Sequence, residues 1–312
     1  MKRLVRERVV IPESLAGRRL DVALARLLPD YSRSLIKAWI ERGQVTEESG
    51  DSLRPRSPVQ AGQEYEIRGE LAAVGSVEPE FVEFDLVHAD PDLIVVNKPA
   101  GLVVHPGAGN PGGTLQNGLL HRFPELEAVP RFGLVHRLDA GTTGLLIVAR
   151  TVAAHQRLTG DLQDRRIRRE YRAVTRGCPV AGGTMDQPLG RHPRDRLRVA
   201  VRPGGRSAVT HYRVLARFPS NALVAVRLET GRTHQIRVHL AHAGYPLVGD
   251  SLYSRSRDGF DRPALHAARL GVRHPATGSE CNFRAPLPED MRGLLTRLAG
   301  EERDWDGFSW SG

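Results

Sequence analysis

From Glu80 to about Leu298 the chain keeps returning to short apolar runs. They are Leu93 to Val96, Leu102 to Val104, Leu145 to Ala149, Tyr171 to Val174, Val209 to Leu215 and Ala222 to Leu228. Runs of this length, punctuated by Gly, Pro, Asn and Asp, read as strands. Only two stretches among them, Ala153 to Leu162 and Gln235 to His242, carry a helical pattern. A parallel, doubly wound sheet needs a crossover helix between most of its strands. Helices are too few for that here. The expected fold is α+β, with a mixed, mainly antiparallel sheet and flanking helices, and without internal repeats.

The segment before Glu80 is built differently. Leu20, Ala23, Leu24, Leu27 and Leu28 recur at helical spacing, and the chain turns at Pro29-Asp30. A second helix is expected with Ser32 as its N-cap and an end before Gly43. Leu35, Ile36, Trp39 and Ile40 form its apolar stripe, while Arg33 and Lys37 lie one turn apart on another face. Gln44 to Thr46 and Glu64 to Ile67 read as short strands. Residues 13–70 are therefore expected to form a small α/β RNA-binding module, joined by a linker at 71–79 to a domain spanning 80–298. Residues 299–312 are polar and acidic, and are expected to fray despite Trp305 and Trp310.

Charge narrows the partner. The 312 residues include 45 basic and 36 acidic side chains, a formal net charge of +9. Lys2, Lys37 and Lys98 are the only lysines, so arginine supplies the rest, a bias that genome composition alone can produce. Position is more telling. Between Val152 and Arg217 there are 15 arginines against 5 acids, a surplus of ten where the whole chain has nine. A cluster of this kind suits a polyanion such as RNA, although charge runs are often only solvated faces. Cys178 and Cys281 match neither a zinc spacing nor a disulfide framework, which fits a reduced, cytoplasmic setting. The basic start lacks the apolar stretch of a signal peptide. No run approaches the roughly 18 apolar residues of a spanning helix. Neither a membrane partner nor a second subunit is expected.

The segment Val135 to Arg150 holds the leading chemical candidate. Asp139 follows His136 and Arg137 and precedes a Gly-Thr-Thr-Gly turn that enters an apolar strand. An aspartate at a Gly-rich turn often only makes an Asx hydrogen bond. Arg-Leu-Asp also occurs at residues 19–21, so the tripeptide is not specific. A second constellation runs from Glu229 to His239. There Gly231 permits a turn, Thr233 can cap a helix, and Arg232 and Arg237 flank its start, an arrangement suited to phosphate or carboxylate. His234, His239 and His242 match no standard metal spacing, and no metal is expected. Asn97 to Gly101 and His105 to Gly107 read as a rigid pair of loops. Gly112-Gly113-Thr114 lacks the Lys of a phosphate loop, and no nucleophile elbow is present. Tyr171 follows the Arg-rich stretch Arg165 to Glu170, where an aromatic ring can stack on a base or simply fill a core.

Taken in order, these segments resemble the RluA-type family of pseudouridine synthases. The resemblance rests on Val96 to Gly101, on His136 to Asp139 with its Thr-Thr-Gly turn, on Arg169-Glu170-Tyr171, on Gly231 to Arg237 and on Gly244 to Asp250. It covers residues 80 to 298. The N-terminal module resembles the S4-type RNA-binding domain of the large-subunit rRNA branch, to which Leu189 to Pro193 is also similar. Thr143 stands where the family usually has Ser, and Ala140-Gly141 where a Lys-Asp-like pair is common. Neither departure touches the acid.

The resemblance implies an isomerase that converts uridine to pseudouridine in structured RNA, most simply 23S rRNA, without a cofactor. It makes Asp139 the catalytic acid, supported by Tyr171, Arg237, Ile236 and Arg137. Arg33, Lys37, Arg165, Arg166, Arg168 and Arg232 are expected to contact RNA. A neighbouring arginine favours the charged carboxylate the reaction needs. One acid suffices, because a hydrolase would need a second group to activate water. A tRNA-modifying enzyme, a non-catalytic assembly factor and a nucleosidase remain as rival readings.

Overall fold

The computed structural model describes residues 3–29, 31, 33–47, 53–71, 77–107, 109–195, 197–254, 259–308 and 310. The chain divides into two compact units, residues 1–76 and 77–312.

The first unit contains β1 (Arg3–Leu4), β2 (Glu7–Val10), α1 (Leu20–Leu27), α2 (Arg33–Glu41), β3 (Val45–Glu47), β4 (Glu64–Ile67) and β5 (Glu70–Leu71). Strands β2, β4 and β3 form an antiparallel sheet in that order, and β1 pairs with β5. The helical spacing sends Leu20, Ala23 and Leu24 of α1 and Ile36, Trp39 and Ile40 of α2 into one core with Val45, Tyr65 and Ile67. Arg33 and Lys37 stay half exposed on the other face of α2. The expected cap, Ser32, lies outside the described residues, as do residues 72–76 of the expected linker.

The second unit runs β6 (Asp85–Ala89), β7 (Leu93–Lys98), α3 (Leu115–Arg122), β8 (Thr143–Ala149), α4 (Val152–Gln163) and β9 (Arg168–Arg176). It continues with β10 (Gly182–Asp186), β11 (Leu189–Arg191), β12 (Val199–Val201), β13 (Val209–Arg217), β14 (Asn221–Leu228), α5 (Gln235–His242), β15 (Leu265–Arg273), β16 (Glu280–Arg284) and α6 (Glu289–Ala299). Among the described residues nine strands form one sheet in the order β10-β13-β14-β9-β15-β8-β7-β6, with β16 on β15. Every pairing is antiparallel except that of β15 with β8. The sheet is mixed and mainly antiparallel.

The unbroken apolar runs of β7 and β8 follow from burial on both faces. Alternate side chains point to opposite sides of a strand. Ile94, Val96, Leu146 and Val148 enter a core with Leu115 and Leu119 of α3 and Ile236 and Leu240 of α5. Leu93, Val95, Leu145 and Ile147 enter another, under Ala154 and Leu158 of α4. Ile94 opposes Val148 and Val96 opposes Leu146 in the pairing register, so each face is filled by matched pairs.

Two expectations fail. Leu102 to Val104 joins no sheet among the described residues, because its carbonyls are used elsewhere. Val103 and Val104 accept from the N–H groups of Leu115 and Gln116, which caps the start of α3. Trp305 to Phe308 of the C-terminal tail are packed on the second unit and do not fray. Trp305 is buried against Phe218, and Asp306 accepts the N–H of Leu287. Phe308 accepts from Arg172 and Arg269 through its carbonyl. The aromatic residues outweigh the polar average of the tail.

Candidate active site

Asp139 sits on a turn that is held from three sides. Within the turn, the N–H of Thr142 donates to the carbonyl of Asp139 (3.0 Å). The carbonyl of Ala140 accepts from the N–H of Gly101 (2.9 Å) and from Lys98 Nζ (3.0 Å). That of Gly141 accepts from Arg262 Nη1 (3.1 Å), whose guanidinium also grips Asp290 at 2.6 and 2.8 Å. Lys98 is fully buried and donates further to Pro99 and Leu102, both at 2.8 Å. Burial, with the Arg262 charge adding to it, lowers the Lys98 amine to about 7, against the pull of Asp139. Gly144 closes the turn with φ of +110°. A Cβ there would lie 2.3 Å from the carbonyl oxygen of Ala267, where β8 runs beside β15. Only glycine permits this approach.

The carboxylate of Asp139 is partly exposed (19%), with Oδ2 3.3 Å from Arg237 Nη1 and 3.9 Å from His234 Nε2. Arg237 projects from the first turn of α5. Its Nε and Nη2 donate to the two oxygens of Asp250, at 2.7 and 2.8 Å. Asp250 is wholly buried and also accepts the N–H groups of Leu252 (3.1 Å) and Tyr253 (3.3 Å). Burial works against the Arg237 charge, but the carboxylates of Asp250 and Asp139 outweigh it and raise its pKa above the ordinary arginine value. One guanidinium thus bridges a structural acid and an accessible one.

Thr233 does not cap α5. The N-cap is His234, in the left-handed region at φ 56°, and the side chain of Gln235 organises the entry. Its oxygen accepts from the N–H of Arg232 (3.0 Å) and from Thr230 Oγ1 (2.8 Å), and its amide nitrogen donates to Val209 and Thr210 (both 3.0 Å). His234 Nδ1 lies 2.8 Å from the Tyr253 hydroxyl. His239 is buried, with its ring nitrogens at Thr210 Oγ1 (2.8 Å) and the Gln187 carbonyl (3.0 Å), so it serves packing. Among the described residues no three His, Cys, Asp or Glu side chains are grouped to hold a metal ion.

Asp139, Tyr171, Ile236 and Arg237, drawn from four distant stretches of sequence, line one cavity of about 560 Å³. Sites for small ligands or a single extruded base commonly fall in this range. Tyr171 and Ile236 are buried in its wall. Burial raises the Tyr171 phenol above its ordinary value, with the Arg169 charge opposing it and the Asp139 charge adding to it. Arg137 lines the cavity as well, exposed, with Nη1 2.9 Å from His105 Nε2. His136 accepts the N–H of Ile147 (3.0 Å). Burial, with the nearby Arg169 charge, lowers its pKa to about 3, so the ring is neutral. A second acid, Glu229, does reach the cavity wall, but it is held by Arg165 and by His211 (2.7 Å).

The arginines expected to contact RNA are distributed. Arg165, Arg166 and Arg168 are about half to two-thirds exposed, and each is ion-paired: with Glu229, with Asp161 and Asp164, and with Glu280. Glu229 and Glu280 lie outside the stretch over which the surplus was counted, so the fold offsets part of that charge. Arg232 is exposed and donates to the Ser207 carbonyl. In the first unit, Arg33 and Arg19 both bind the buried carboxylate of Asp21, and Lys37 pairs with Glu41. Asp250, Arg262 and Lys98 carry parts of the site that spacing did not single out. Asp250 and Lys98 lie in matching motifs, but only the fold shows what they hold.

A family model described as RNA pseudouridylate synthase matches residues 92–242, and one described as S4 domain matches residues 18–46. A protein of Escherichia coli (strain K12), named ribosomal large subunit pseudouridine synthase D, is 46% identical over 325 residues, covering 99% of this chain and 100% of the relative. A protein of the same name from Xanthomonas campestris pv. campestris is 46% identical over 93% of this chain and 91% of its own. Among solved structures, human RNA pseudouridylate synthase domain containing 4 aligns with a TM-score of 0.56 and 27% identity, over 69% of this chain and 93% of that one.

Proposed function

The chain belongs to the RNA pseudouridylate synthase family, and from that premise we propose that it modifies large-subunit ribosomal RNA with Asp139 as its catalytic group. The reaction is the isomerisation of uridine to pseudouridine. It breaks the C1′–N1 bond, rotates the uracil and joins C1′ to C5, while C5 loses a proton and N1 gains one.

The observation that carries the assignment of Asp139 is its carboxylate, open to the cavity and aimed by Arg237, with Tyr171 in the same wall. Arg237 holds Oδ2, which leaves Oδ1 for the sugar. That oxygen can attack C1′ or remove a sugar proton, and either act needs the ionised form that Arg237 favours. Tyr171 offers a ring face to the extruded base, Ile236 packs beside it, and Arg137 at the rim meets the strand from which the base has left. Glu229 is engaged by Arg165 and His211, which suits a reaction that must not activate water.

Unstacking the target costs a few kcal/mol, least where the uridine is already unpaired. The S4-type unit and the exposed arginines of the second unit are suited to hold the flanking backbone. Large-subunit rRNA follows from the names of relatives matched over nearly the full chain, and a monomer acting in the cytoplasm fits that substrate. Mapping pseudouridines across ribosomal RNA of a deletion strain tests the target. Loss confined to large-subunit rRNA supports the proposal, whereas loss only in tRNA overturns it.

A further inference from the structure

Arg169 is a buried cation in the cavity wall whose charge has no stated use. It is 8% exposed and lies on β9 two residues before Tyr171, hence on the same face of the strand. It lines the cavity that holds Asp139. Its Nε is buried without a partner, and among the described residues nothing hydrogen-bonds or ion-pairs its guanidinium. The other arginines around it are committed: Arg237 to Asp139 and Asp250, Arg172 to Glu170, and Arg165 to Glu229. Gly231 makes room for this group, since a Cβ there would lie 2.8 Å from Arg169 Nη1. The Arg169 charge also bears on the neighbouring ring of His136, whose pKa is lowered mainly by burial and further by this cation.

A buried, unpaired cation is costly, and folded proteins retain one where a ligand completes it. We infer that Arg169 is a further catalytic residue, and that its guanidinium binds the uracil as it departs. The inference rests on the pseudouridine-forming reading of this site. When the C1′–N1 bond breaks, the electron pair goes to N1 and the base becomes an anion with its charge spread over O2 and O4. This holds whether Asp139 attacks C1′ or removes a sugar proton. Arg169 donates to that anion and holds it in the cavity until C5 reaches C1′. C5 then bonds C1′ as the Asp139–C1′ bond breaks or, on the other route, as Asp139 returns the sugar proton; C5 releases its proton, and N1 takes one up. Arg237 cannot serve both ends of the broken bond, because the sugar-side carboxylate occupies it.

The test compares wild-type protein, Arg169→Met and Arg169→Lys in single turnover on one RNA. Its target position carries either uridine or 5-fluorouridine, whose fluorine makes N1 a better leaving group. Removing a donor from a developing anion typically slows a reaction by about 100- to 1,000-fold. Arg169→Met should lose about that much on uridine, keep its Kd for RNA, and unfold at a temperature no lower than wild type. Arg169→Lys should recover part of the rate. The deficit of Arg169→Met should shrink by about tenfold or more when consumption of 5-fluorouridine is followed, because that anion needs less help. Three outcomes overturn the inference. One is an unchanged rate on uridine, another an equal deficit on both bases, and the third a loss that appears only as weaker RNA binding, the mark of a phosphate contact. If wild-type protein itself forms no pseudouridine, it is the underlying reading that fails.

Discussion

Replacing Asp250 by alanine should separate what holds the site together from what reacts in it. The Asp250 carboxylate is wholly buried and takes two hydrogen bonds from Arg237, at 2.7 and 2.8 Å. Removing one partner of a buried ion pair costs about 3–5 kcal/mol. Arg237 keeps Asp139 at 3.3 Å, so the lower end, about 3 kcal/mol, is expected. For a unit of this size that lowers the unfolding temperature by about 6–12 °C, at about 2–4 °C per kcal/mol. The rate is affected through aim. With Nε and Nη2 released, the guanidinium can rotate away from the line to Asp139. A hydrogen bond to a charged group is worth about 1.5–3 kcal/mol. At about 1.4 kcal/mol per tenfold, single-turnover pseudouridine formation should fall about 10- to 150-fold. Measuring it well below the unfolding transition keeps the two effects apart, and Asp250→Asn should lie between the variant and wild type. A full rate beside the predicted loss of stability would falsify the claim that Asp250 aims Arg237. Unchanged stability would remove the premise of a structural buried pair.

Other consequences follow from the same geometry. Gly144→Ala should prevent folding of the second unit, because its Cβ would lie 2.3 Å from the Ala267 carbonyl oxygen. Soluble, cooperatively unfolding protein would contradict that. Burial is the largest cause that lowers His266 to about 4, and His136 is lowered to about 3. The unfolded chain therefore takes up these protons first. Their stabilisation is complete above a pH of about 6.5 and is lost as pH falls toward 4, each histidine adding a slope of about 1.4 kcal/mol per unit. Urea midpoints at pH 7 and 5.5 should differ accordingly, and equal midpoints would count against the neutral rings. Deleting residues 1–70 should weaken or broaden RNA selection while sparing chemistry on a short loop substrate. Unchanged affinity and site choice would deny the S4-type unit its role.

The strands that fill two cores were readable as unbroken apolar runs, as in Leu93 to Val96 and Leu145 to Ala149, because burial on both faces leaves no room for alternation. Those that were missed have mixed patterns. β10 is Gly-Gly-Thr-Met-Asp at the sheet edge, exposed and held by pairing to β13, and β11 and β12 are three residues each. Helix α6 does carry a signal in the sequence: Pro288, then Glu289 and Asp290 in its first turn, and Gly300 at its end. In the site, Asp139, Tyr171, Ile236 and Arg237 are legible from their motifs and share a wall. What holds them could not be named. The grip of Asp250 on Arg237, of Arg262 on the turn, and the isolation of Arg169 depend on strand register between segments far apart in sequence. A count of charges along the chain cannot see that Glu229 and Glu280 answer Arg165 and Arg168 across the sheet.

The account depends most on Asp139. RNA carrying uridine tritiated at C5 releases its label only when C5 is joined to the sugar. With large-subunit rRNA so labelled, wild-type protein should release tritium from the modified site, while Asp139→Asn releases none yet binds the RNA with nearly the same Kd. Release by Asp139→Asn at the wild-type rate would place the chemistry on another residue and contradict the assignment.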